Sequence, residues 1–130
     1  KYYPLGENGF VDVKDVVSIM IQLMNLNIFR EKFIVSAENL IHKDVACMVA
    51  KSLGLAVPNK LITPLLGEFV YRFEAVRSLL TGKDPLVTKE ILNEANSKVS
   101  YSSKKLQKVL NYKYLSIEKS TINAAKFYKI

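Results

Sequence analysis

The chain has 130 residues, 49% of them hydrophobic and 24% charged, with a formal net charge of +7. These proportions exclude a disordered chain and allow one domain with a real core, or part of a larger one. No apolar run reaches the roughly 18 residues that span a bilayer, and the longest, Val16 to Leu26, is broken by Ser18, Gln22 and Asn25.

Lys1-Tyr2-Tyr3-Pro4 does not read as the start of a secretory signal. The single cysteine, Cys47, excludes an internal disulfide and fits a reducing, cytoplasmic setting; beside Ala46 and Met48 it reads as a small core residue. The missing initiator Met suggests a fragment or a processed chain.

Phe10 to Val13 reads as a short buried strand that runs straight into a helix. Asp12 and Asp15 stand three apart at that junction, where one can accept from the free amides of the first turn and both suit the positive end of the helix dipole. The helix, Val13 to Asn25, is apolar almost all round, so burial on more than one side is expected, with Asn25 and Asn27 as stop signals. Phe33-Ile34-Val35 is β-branched without polar alternation, as in an interior strand of a parallel sheet. A second helix is expected from about Ile41 to Leu53, with Gly54 as its cap. His42, the only histidine, is placed on an exposed helix start, so a histidine-based metal cluster or triad has no second member.

Ala56 to Lys60 reads as a linker, and later strand signal is limited to a residue or two near Val99–Tyr101. Thr63-Pro64 opens a helix running to Gly82; Thr88 opens a short one to about Asn96; Ser102 or Ser103 opens another; Ser116 opens the last. The chain therefore divides into residues 1–60, α/β in character, and residues 61–130, mostly helical. Residues 1–97 hold 11 Lys/Arg against 11 Asp/Glu, whereas residues 98–130 hold eight Lys against Glu118 alone.

Five segments, taken in order, resemble the second half of the extended short-chain dehydrogenases, the NAD-dependent epimerase/dehydratase family. Phe10-Val11-Asp12-Val13-Lys14-Asp15-Val16-Val17 is similar to its "F-V-x-V-x-D-V-A" junction. Phe33-Ile34-Val35-Ser36, followed by Leu40 to Gly54, resembles the strand and the helix ending in "A-x-x-L-G", with Ile41 where many members have a capping Ser. Thr81 to Thr88 resembles the "G-x-x-P-x-L-T" turn. Tyr101-Ser102-Ser103-Lys104-Lys105-Leu106 with Leu110-Asn111-Tyr112 resembles "D-x-S-K-A…L-G-Y", Ser102 standing for the Asp and Asn111 for the Gly. Ser116 to Tyr128 resembles the terminal helix.

The resemblance implies an α/β fold: the last strands and helices of a Rossmann-like sheet (residues 1–60), then a mostly helical substrate-binding lobe (residues 61–130). It implies NAD or NADP, and a Tyr-x-x-x-Lys pair, in a half that this chain lacks. No catalytic, cofactor-binding or metal residue is then expected here. Gly6, Gly9, Gly54, Gly67 and Gly82 form no phosphate-binding cluster. Tyr101 and Lys105 have the catalytic spacing but occupy the family's "S-K-A" position, and read as a decoy.

Substrate-side candidates are Tyr71, Arg72 and Arg77, although the arginines lie five apart and face different directions, with Glu68 and Glu74 in reach as partners. The arginines with which nucleotide-sugar enzymes of the family clamp a diphosphate are missing from Gly6-Glu7-Asn8 and from Ile91 to Ser100, which favours a small, uncharged, partly hydrophobic carbonyl substrate, as in dihydroflavonol- and steroid-reductase-like members. A half-sheet with an open edge should form a homodimer or swap elements. The rival reading is a self-contained basic module whose Lys98–Lys129 helices contact nucleic acid; few arginines and core-directed aromatics weigh against it.

Overall fold

A computed structural model describes residues 2–26, 28–85 and 87–128. Asp12 takes extended backbone and its carboxylate accepts from the Lys14 amide at 2.8 Å, which stops the preceding strand and starts α1, Val13–Met24. The strand is therefore β2, Glu7–Phe10, earlier than the expected Phe10 to Val13. It pairs antiparallel with β3, Glu38–Ile41, Phe10 facing Glu38 and Glu7 facing Ile41.

Phe33–Val35, expected as a parallel interior strand, forms none. Among the described residues no backbone hydrogen bond involves Phe33, Ile34 or Val35. A β-branched run becomes a strand only where a neighbour supplies donors and acceptors, and here none does. The expected linker is likewise not free of structure. Lys60–Leu61 forms β4, paired in parallel with β1, Tyr2–Tyr3, and Pro58 before it is buried.

The helices follow local signals closely. α2, His42–Leu53, starts without a side-chain cap, consistent with Ile41 at that position, and ends on a left-handed Gly54. α3, Pro64–Thr81, is capped by Thr63, whose hydroxyl accepts from Leu66 at 3.3 Å, and closes on Gly82 at φ 66°. α4, Lys89–Asn96, is capped by Thr88 in the same way. α5, Lys104–Leu110, ends on Asn111 at φ 46°, the left-handed cap that Gly or Asn can supply. α6 spans Ile117–Tyr128. Asn27, Leu86 and Lys129 lie outside the described residues.

The architecture is thus α/β: six helices and two two-stranded sheets, one parallel, among the described residues. No described helix is long and apolar enough to cross a membrane. Helix α2 packs chiefly on α6, and α3 on α4. Ile19 and Leu106 are fully buried, with Ala50, Ile117 and Ala125 nearly so. The two halves join at Gly6, whose amide donates to the Ala95 carbonyl while the Glu7 amide donates to Ser97, both at 2.9 Å. A Cβ on Gly6 would lie 2.3 Å from the Ala95 oxygen, so only glycine permits this approach. The strand signal near Val99 appears one residue early, as a parallel bridge between Glu7 and Lys98.

Candidate functional site

Helix α3 carries all three substrate-side candidates, and it spreads them. A five-residue step turns about 140° round a helix, so Arg72 and Arg77 point apart. Each is held by the glutamate one turn before it: Arg72 Nε donates to Glu68 at 3.0 Å, and Arg77 Nη2 donates to Glu74 at 2.7 Å. Tyr71 is half-buried beside them. Most apolar residues of the helix are exposed as well, with Phe69 at 72% and Leu79 at 86%. Leu65, Phe69, Glu68 and Arg72 frame a recess of about 190 Å³. What α3 offers a ligand is mostly hydrocarbon edged by neutralised ion pairs.

Tyr101 and Lys105 serve other contacts. The Lys105 ammonium pairs with Glu31, donates to the Lys32 carbonyl at 3.0 Å and sits 5.0 Å from the Phe33 ring centre. Tyr101 is held through its backbone, since the Asn39 side chain donates to its carbonyl and accepts from its amide, both at 2.9 Å. One lysine of the basic C-terminal stretch is therefore engaged by the N-terminal half.

The strand-to-helix junction holds the chain together in a way its spacing did not announce. Asp12 caps α1; the Ser120 hydroxyl of α6, and then the Lys14 amide, hold its carboxyl below the usual aspartate range. Asp15, buried, is a tether. It accepts from Tyr112 Oη and from the Leu115 amide, both at 2.9 Å. Ser18 pulls the Tyr112 phenol down, but burial and the neighbouring Asp15 carboxylate outweigh it and push the phenol up, so it stays protonated as a donor. Glu38 takes the Ile117 amide at the start of α6, at 3.0 Å. Two carboxylates of the first 40 residues, Asp15 and Glu38, thus fasten residues 112–117. Each partner lies about 80 to 100 positions away, and no local pattern marks it.

His42 is half-buried, which corrects the exposed placement. Its Nδ1 lies 2.8 Å from the Gly6 carbonyl, an acceptor, so that nitrogen carries the proton, and its ring meets Phe10 edge-on. Cys47 lies on the wall of a cavity of about 460 Å³ between α2 and α6, near Asp44, Lys51 and Glu118. Among the described residues no three His, Cys, Asp or Glu side chains converge as a metal site. A dinucleotide's pyrophosphate needs a glycine-lined turn open to it; among the described residues Gly6 and Gly9 are filled against protein atoms, Gly67 lies within α3 against Leu92, and Gly54 and Gly82 end helices.

No family model matches the chain, and no curated protein matches it. Among solved structures, the crystal structure of gox2253 is similar in fold, with 23% identity and a TM-score of 0.70. The likeness covers 98% of this chain and 39% of gox2253. The chain thus spans well under half the length of the protein it resembles.

Proposed function

We propose that this chain is the substrate-binding portion of an NAD(P)-dependent extended short-chain dehydrogenase. In the whole protein, a nicotinamide held elsewhere exchanges hydride with a small carbonyl or alcohol. The observation that carries the reading is the ordered set of five family-like segments. Four supply a helix boundary: the Asp12 cap, the Gly54 stop, the Gly82 to Thr88 turn and the Asn111 cap. The fifth supplies α6.

Likeness to a minor part of a longer chain supports the word portion. So does surface area. A folded monomer of this mass exposes about 6,900 Å², whereas this chain exposes 9870 Å². The difference, about 3,000 Å², has the character of a domain cut from its neighbour. Apolar α3, with each arginine neutralised by a glutamate, favours an uncharged, partly hydrophobic substrate over a nucleotide sugar, because a diphosphate needs guanidinium forks turned toward it.

The native gene product should oxidise NADH or NADPH when offered small aromatic or alicyclic ketones, and the 130-residue chain alone should show no NAD binding by calorimetry. Micromolar NAD affinity of the chain alone, or a native product indifferent to both nucleotides, overturns the reading.

A further inference from the structure

Helix α3 meets its own chain on one side. Gly67 is buried there, with Leu92 of α4 3.5 Å from where its Cβ would stand, and Tyr71, Glu74 and Ser78 share that side half-buried. At about 100° per residue, Leu65, Phe69, Phe73, Val76, Leu79 and Leu80 fall in an arc about 120° wide on the opposite side. All six are between 56% and 86% exposed. They present about 800 Å² of side chain, more than the few hundred Å² that a lone chain ordinarily leaves bare. The substrate proposed above accounts for one end of this stripe at most, the recess of about 190 Å³ at Leu65 and Phe69. Phe73, Val76, Leu79 and Leu80 lie outside that recess.

The stripe has the properties of a face that meets its own copy. It reads the same from both ends. About the midpoint between Arg72 and Phe73, Leu65 mirrors Leu80 and Phe69 mirrors Val76, so an antiparallel twin sets apolar residue against apolar residue along its length. Charge does not oppose the pairing. The chain carries +7, but α3 holds two arginines and two glutamates, joined as Glu68–Arg72 and Glu74–Arg77, so two copies approach here without net repulsion. The same neutrality disfavours a membrane surface, for which an interfacial helix carries lysines and arginines toward the headgroups. Area supports the pairing too. Two such faces bury up to about 1,600 Å², the size of a standard stable interface.

We propose that α3 is a homodimer interface, in which two copies pair antiparallel across a two-fold axis at Arg72–Phe73 and bury the six apolar residues of the stripe. The proposal rests on α3 alone and not on the reaction assigned above, and it uses none of the open sheet edge expected to associate.

The native gene product is the object to test, because the chain alone also bares an apolar face on α1. It is prepared with Leu80→benzoylphenylalanine and irradiated with and without phosphatidylcholine vesicles. The expected adduct has twice the mass of the product and joins the tryptic peptide 78–83 to the peptide 61–72, which carries Leu65 and Phe69. An adduct at the mass of one product, an adduct to phospholipid or to any other peptide, or no adduct overturns the proposal.

Sedimentation velocity gives a second reading. The unsubstituted product should sediment as a dimer, and Phe73→Glu with Leu80→Glu should halve its mass. Leu55→Glu, at an exposed position beyond α2, should leave it unchanged. A monomeric unsubstituted product, a double variant that stays dimeric, or equal dissociation by Leu55→Glu overturns the proposal. If circular dichroism shows the double variant unfolded, the cross-link formed on the folded product decides.

Discussion

Asp15 concentrates most of what a single residue contributes here. Its carboxylate is buried and accepts from Tyr112 Oη and the Leu115 amide, so α1 cannot move away from the chain between α5 and α6 without orphaning a charge. Hydrogen bonds to charged groups are worth about 1.5–3 kcal/mol. Tyr112→Phe should therefore lower the urea-unfolding free energy by about that much and leave the far-ultraviolet circular dichroism unchanged. No measurable loss would mean that Asp15 does not tether this segment. Asp12 gives a pH signature. Its folded pKa lies below the unfolded 3.8, so the stability it contributes is complete above that value and is lost as pH falls through the lower folded one. Asp12→Asn keeps a capping oxygen but removes the charge, so it should cost stability at pH 7 and flatten the acid limb below about pH 4, read from unfolding midpoints between pH 7 and 2.

The helices show why some elements are readable from residues and others are not. A helix end is a local event: Thr63, Thr88, Gly54, Gly82 and Asn111 each satisfy or release backbone groups within four residues, and each stands where the sequence signals it. Asn111 tests that logic. Asn111→Gly should change stability by no more than a few tenths of a kcal/mol, whereas Asn111→Val should cost about 1–2 kcal/mol, the strain of a β-branched residue at positive φ. Strands depend on distant partners, and that is where the reading slipped. Phe33–Val35 has the composition of a strand without a neighbour, while Glu38–Ile41, a polar-looking run, pairs because β2 lies beside it. The ion pairs on α3 were legible from i, i+3 and i, i+4 spacing. The tethers from Asp15 and Glu38 were not, since nothing local marks a partner 79 to 100 residues away.

At the scale of the whole molecule, apolar residues outnumber the core that can hold them. Only five hydrophobic residues are buried among those described, while α1 and α3 each show an apolar face to solvent. Contiguous patches of this kind mark interaction surfaces or aggregation sites. The 130-residue chain by itself should therefore associate, and Val17→Glu together with Met20→Glu on the outer stripe of α1 should shift it toward monomer in sedimentation velocity. A compact, stable monomer of the unsubstituted chain would contradict that. The most direct test of the whole reading is the intact mass of the native gene product in its own cells. A mass above 14.7 kDa by roughly a domain of about 150 residues, or a tightly held partner of that size, is the predicted result. A free 14.7 kDa product with no such partner would contradict it.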